Sequence, residues 1–425
     1  MNTKFIGTAL LATALSFQLQ AQQKASGEIV VIGKATSPKA SSNNESVNDA
    51  DLKSKEVSVE VNASKTADIF IENTSRNIEV KTWDQAKVKI VTTIFFEGDA
   101  NKLSDEEWFE KLNISLKSLG STVRIKSGSV GSGTYSYFGN NYAWSGGPSS
   151  GVAIFNGDGE NIRTKSGSKR LVTIYVPKEN KIDVESKYSD VVVSTSINKI
   201  DADITNGSLE LQDVGTLFLR SKYANVAVGN IKVAEIDFMN GRFSAREIGD
   251  ADIDTKYATI EIASVDKLMA RSTNDEYEIE EVGVFQGRKN YGNLRITKLL
   301  NSLEMDGTNA DVKIRNIAAT VKEIRFDNKY ADIRLPMRNI KNYTVNYIGA
   351  YSNIYADFEK KPYEGKEIKT TKETDNLASQ LRSIQRSVEK FAGDDNSNSK
   401  FTAIVGDGKG ATINMVCQNC TVDFK

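Results

Sequence analysis

The sequence predicts an all-β chain, a single β-solenoid or β-helix of two-strand rungs about 17 residues long, with short inserted helices. Three observations carry that expectation: a marker recurring at a near-constant interval, apolar columns alternating on both sides of it, and a charged column between them. Tyr188, Asn206, Tyr223, Asn240, Tyr257, Asn274, Tyr291, Asn309 and Tyr330 follow one another at 18, 17, 17, 17, 17, 17, 18 and 21 residues, with Tyr and Asn alternating strictly. The next residue is always small or turn-forming, from Ser189 and Gly207 to Ala310 and Ala331. A tight corner is expected there, because Gly, Asn and Asp tolerate positive φ where bulky residues do not.

Three and five residues after the marker stand inward pairs such as Val191/Val193, Val226/Val228, Ile260/Ile262 and Leu294/Ile296. Six and four before it stand others, among them Ile200/Ala202, Leu217/Leu219 and Ile324/Phe326. Nine before it, Ile197, Val214, Ile231, Ile248, Val265, Val282, Leu300 and Val321 supply one more inward residue per unit. Period-two alternation of this kind marks strands with one buried face. One such unit cannot bury its apolar side alone, whereas stacked copies close a continuous core. Three residues before the marker every side chain is charged, from Asp203 and Arg220 to Asp306 and Asp327. Mixed signs limit repulsion between rungs about 4.8 Å apart, so this column reads as a solvated face.

Alternation leaves successive tyrosines two rungs apart, roughly 9.6 Å. Two uses fit them: rings lying over the smaller residue between, or an exposed aromatic track for sugar rings or a peptide.

Along the chain, residues 1–21 read as a secretory signal peptide: Lys4 precedes an apolar run from Phe5 to Leu19, and Ala21 suits cleavage. The run is shorter than the roughly 20 apolar residues of a membrane span. The chain is therefore expected to be exported, to the periplasm, the cell surface or the medium, with no transmembrane segment. Residues 22–55 are polar and read as a flexible lead. Residues 56–126 carry early rungs, with Ser75 as a marker between Ile69/Ile71 and Ile78/Val80, and a short helix for which Ser104 is the N-cap. Residues 127–169 form a Gly/Ser-rich insertion in which Tyr135, Tyr137, Phe138, Tyr142 and Trp144 are candidate binding residues. The regular array spans 170–358. An insertion follows at 359–400, where Leu377, Leu381, Ile384, Val388 and Phe391 have helical spacing. Residues 401–425 return as a terminal rung around Asn419.

Composition narrows the chemistry. The chain of 425 residues has 55 basic and 56 acidic side chains, so charge gives no case for nucleic acid. It has no histidine, which removes Ser-His-Asp and Cys-His catalysis and histidine-bearing zinc sites. Cys417 and Cys420 are the only cysteines; in an exported chain they suit a local disulfide, with free thiols, redox exchange or half of an intermolecular metal site as the alternatives. Two residues after the marker, Asp190, Asp311 and Asp332 share a column, with Asp252 and Asp254 nearby, and two carboxylates are enough for glycoside hydrolysis. That column also holds Ser208, Arg242 and Thr259, as an ordinary surface would. No cofactor is expected.

The chain resembles the secreted bacterial "putative adhesin" family, whose β-strand-repeat head domain forms a β-solenoid. The resemblance rests on "ADIFIENTSRNIEVKTWDQAKVKI", on "VTIYVPKENKIDVESKYSDVVV", on the Asn-Gly rungs "TNGSLEL" and "MNGRFSA" and on the glycine-rich approach to the last strand; it covers residues 57–425. Tyrosine at alternate corners, the aromatic loop and the late helix depart from that pattern. The repeat, the export signal and the missing histidines lead to the expectation of a non-enzymatic scaffold for adhesion or envelope interactions, with a glycan or an envelope protein as partner. The alternative is a carbohydrate-active β-helix cleaving glycans with carboxylates.

Overall fold

The computed structural model describes residues 53–96, 103–128, 151–156, 161–166, 172–363 and 398–425. The signal segment, most of the lead, the five aromatic candidates from Tyr135 to Trp144 and the helical stretch from Leu377 to Phe391 lie outside the described residues. Among the described residues the fold is all-β, one 22-stranded sheet with a single helix. No described helix is long and apolar enough to cross a membrane.

Strands pair in parallel at the offsets of the marker. Ile182 faces Ile200, Ile197 faces Val214, Leu209 faces Val226, and Leu303 faces Ile324. Inside the long extended run Val214–Ile317 the same step recurs in side-chain bonds: Lys289 to Ser272, Arg295 to Glu278 and Lys298 to Glu281 are each 17 residues apart. The inward columns form the core, with Val191, Ile200, Leu217, Phe243, Ile260, Leu294 and Ile324 all at 0–1% exposure. One expectation is corrected. Leu299 rather than Leu300 is buried, because the unit between Tyr291 and Asn309 is one residue longer and that residue falls after the inward position.

The charged column pairs as its signs allow. Arg220 reaches Asp201 and Asp203 at 3.0 and 3.7 Å, and Arg271 reaches Asp252 and Asp254 at 2.7 and 3.4 Å. Where two acids fall together the column is strained: Asp306 and Asp327 are register partners. Burial, then repulsion from Asp306, raises the Asp327 carboxyl to about 6. A carboxyl raised in the folded state contributes stability that is present below its ordinary pKa near 4 and lost as pH rises through about 6. Asp327→Asn is therefore expected to leave stability unchanged near pH 4 and to raise it by about 2–3 kcal/mol at pH 7.5. Denaturant melts at both pH values measure this, and an equal effect at the two would contradict it.

At the amino-terminal side, Ser104 caps the helix Asp105–Lys111 through a reciprocal capping box with Glu107. Its Trp108 packs edge-on against Phe155, with ring centroids 5.3 Å apart. Phe155 belongs to the hairpin Gly151–Phe155 and Asn161–Ser166, so part of the 127–169 insertion is paired strand.

The largest correction concerns the last strands. Ala411–Gln418 does not end the ladder; it pairs in parallel with Glu323–Lys329 on one side and Tyr343–Ala350 on the other. Thr421–Asp423 likewise lies between Asp332–Arg334 and Asn353–Tyr355. Asn398–Val405 then pairs antiparallel with Tyr343–Ala350. The inserted strand keeps the inward columns filled, with Ile413, Met415 and Val422 at 0% and Phe424 at 5% exposure.

Candidate binding surface

Each marker residue occupies the left-handed region. Tyr188, Asn206, Tyr223, Asn240, Tyr257, Asn274, Tyr291, Asn309 and Tyr330 have φ between 52° and 62°, as do Ser75, Tyr351 and Asn419. At each corner where the bond lies between separate strands, the marker amide donates to the carbonyl preceding the next marker in space. Ser75 N reaches Lys187 O at 2.9 Å, Tyr188 N reaches Thr205 O at 3.0 Å, and Asn206 N reaches Lys222 O at 3.0 Å. Further along, Tyr330 N reaches Gln418 O and Asn419 N reaches Ala350 O, both at 2.9 Å. The spatial order is thus Tyr291, Asn309, Tyr330, Asn419, Tyr351. Alternation of Tyr with Asn continues through a strand brought in from elsewhere in the chain. Tyr351 follows Tyr330 by 21 residues with no Asn marker between them in sequence; its Asn neighbour is Asn419.

The corner also explains its glycines. At Gly241, with φ +147°, a Cβ would sit 1.9 Å from the Ala224 carbonyl oxygen one rung away, so no larger residue fits. Asn is at home at positive φ; tyrosine is not, and a left-handed residue with a Cβ costs about 1–2 kcal/mol. Yet the rings gain little burial in return. Tyr188, Tyr223, Tyr257, Tyr291, Tyr330 and Tyr351 are 50–60% exposed. None of the ring contacts among the described residues joins two of them.

Behind the corners lies a column of small and polar side chains. Its densest point is Asp275, which is 1% exposed and accepts from Thr255 Oγ1, Ser272 Oγ, Thr273 N and Ala258 N at 2.7–2.9 Å. Lys289, 2% exposed, donates to Ser272 Oγ at 2.9 Å and to the Asp275 carbonyl at 2.6 Å; burial lowers its ammonium to about 8. Tyr277 hydroxyl meets Thr255 Oγ1 at 2.7 Å. The network is enclosed, and its chemistry is satisfied internally.

Cys417 and Cys420 sit in the same buried column, as thiols beside one another. Cys420 Sγ lies 3.4 Å from the Asn328 carbonyl oxygen. Four of the five carboxylates considered for catalysis have structural partners: Asp190 accepts from Ser208 Oγ at 2.6 Å, Asp311 accepts from the Asp332 amide at 2.9 Å, and Asp252 and Asp254 pair with Arg271. No cluster suited to a metal occurs among the described residues.

Four and six residues beyond the markers runs a groove of about 970 Å³. It follows seven rungs, from Val228 to Arg338, roughly 29 Å at the strand spacing. Charge changes along it. Arg246, Glu261, Glu278 and Glu280 line one half; Arg295, Lys313, Arg315, Arg334 and Arg338 line the other. Only about four residues, roughly 13 Å of strand, separate a marker from the groove.

No family model and no curated protein matches the chain. Among solved structures, a protein of Parabacteroides merdae described as a "putative adhesin" is 12% identical, with a TM-score of 0.33, 66% of this chain covered and 97% of that one. A "putative adhesin" of Parabacteroides distasonis is 11% identical, with a TM-score of 0.34 and coverages of 64% and 97%. A "putative lipid binding protein" of the same species is 14% identical, with a TM-score of 0.26 and coverages of 66% and 89%.

Proposed function

We propose that the chain is an exported, non-enzymatic β-solenoid that serves as an adhesion or envelope-interaction scaffold, holding an extended partner along its tyrosine corners. Support for the winding comes from parallel pairing at a constant 17- to 18-residue offset, which returns the chain to the same corner once per unit. The observation that carries the functional reading is the tyrosine column itself. Six bulky residues are held in an unfavourable backbone conformation with their rings half exposed, where the intervening asparagines show that a better-suited residue is tolerated. Rings every second rung, with an amide between, offer stacking faces and hydrogen-bonding groups at regular intervals to a linear polymer.

Replacing all six tyrosines by asparagine tests this. Stability is expected to be unchanged or raised by up to about 1 kcal/mol per site, since asparagine accepts the left-handed region more readily. Binding to chitin or cellulose oligosaccharides, measured by titration calorimetry, is expected to be lost. A substituted chain that is clearly destabilised would show that the rings serve packing instead. Protease added to intact cells should digest the mature chain if its partner is outside the cell; digestion only after lysis would place the partner in the periplasm.

A further inference from the structure

The basic half of the groove has an arrangement that folding alone does not favour. Lys313 and Arg334 are register partners on adjacent strands, with like charges directly opposite, a pairing that destabilises a sheet. In the same column Arg295 is matched by Glu278 at 2.8 Å. Arg334 has Asp423 at 3.7 Å, whereas Lys313 and Arg315 make no ion pair among the described residues. Arg338 turns toward the same spot, its Nη2 donating to the Arg315 carbonyl at 3.4 Å. Three exposed cations thus line one end of a groove long enough for a polymer.

We infer that Lys313, Arg315 and Arg338 form an anion site for the carboxylate of a sparsely charged acidic polysaccharide lying in the groove. The inference rests on reading this face as a polymer-binding surface. Charge density selects the ligand class. A nucleic acid, with a charge about every 1.7 Å of duplex, would drive phosphates against Glu261, Glu278 and Glu280 in the middle of the groove. A hydroxylated chain with an occasional carboxylate meets both halves, because glutamates accept hydroxyl protons and guanidinium groups bind carboxylates in a fork.

The test is calorimetric titration of the full chain with a hyaluronan octasaccharide, its methyl ester and heparin at one fixed salt concentration. The acid is expected to bind at least about tenfold more tightly than the ester, the scale of one charge-assisted contact. The variant Lys313→Gln/Arg315→Gln/Arg338→Gln is expected to bind acid and ester alike, at the ester's affinity. Lys313→Gln alone should lose part of the preference, so a misfolded triple variant does not shield the idea. Equal binding of acid and ester by the unaltered chain, failure to bind either, or a preference that survives the triple substitution overturns the site. So does heparin binding tightest and losing that advantage in the variant, which would indicate a dense polyanion. If the six-tyrosine variant still prefers acid over ester, the tyrosine reading fails and the anion site stands; tyrosine-dependent binding that ignores esterification gives the reverse.

Discussion

Ile260→Asp is expected to abolish cooperative folding of the parallel array. Ile260 is 0% exposed, three residues beyond Tyr257 in the inward column, and its neighbours one rung to either side, Phe243 and Tyr277, are 0% and 1% exposed. A carboxylate there loses the isoleucine's burial, about 1.5–3 kcal/mol, and adds several more for a charge with no partner. Together these approach the 5–15 kcal/mol that separates most folded domains from their unfolded states. Arg271→Asp is the control. Its two exposed ion pairs are worth little each, and the new repulsion from Asp252 and Asp254 is screened by water, so a loss of about 1–2 kcal/mol is expected. Thermal melts by circular dichroism compare them; similar midpoints for the two variants would refute the register.

Removing residues 411–425 should have a still larger effect. The deletion takes a strand from between two others, leaving Glu323–Lys329 and Tyr343–Ala350 without their shared partner. The buried side chains of Ile413, Met415, Val422 and Phe424 go with it, about 6–12 kcal/mol at the usual value per side chain. Two unpaired parallel edges remain, and exposed edges recruit other chains. The shortened chain should aggregate or melt without cooperativity in gel filtration and calorimetry. Supplying the 411–425 peptide in trans should restore part of the transition. A shortened monomer that melts within a few degrees of the intact chain would exclude the insertion. The same pairing means that Tyr343–Ala350 cannot reach its parallel neighbour until residue 418 has been made.

The sequence by itself determined the corners, the inward columns and the 17- to 18-residue offset at which strands pair. These are short-range properties: the two-residue period decides which side chains are buried, and Asn or Gly at a corner announces positive φ within a few residues. Ser75 and Asn419 were legible as markers for that reason, far from the regular array. Tertiary structure alone decided what lies beside what. Tyr330 hydrogen-bonds to Gln418 and Asn419 to Ala350 because the strand that best completes both edges comes from far along the chain, and no local pattern records such a pairing. It also decided the fate of the side chains at the corners. The repeat shows that a tyrosine recurs, but only the assembled strands leave its ring half in water, align Lys313 with Arg334 and enclose Lys289 with Asp275, since exposure and charge contact depend on neighbours 14 or more residues away.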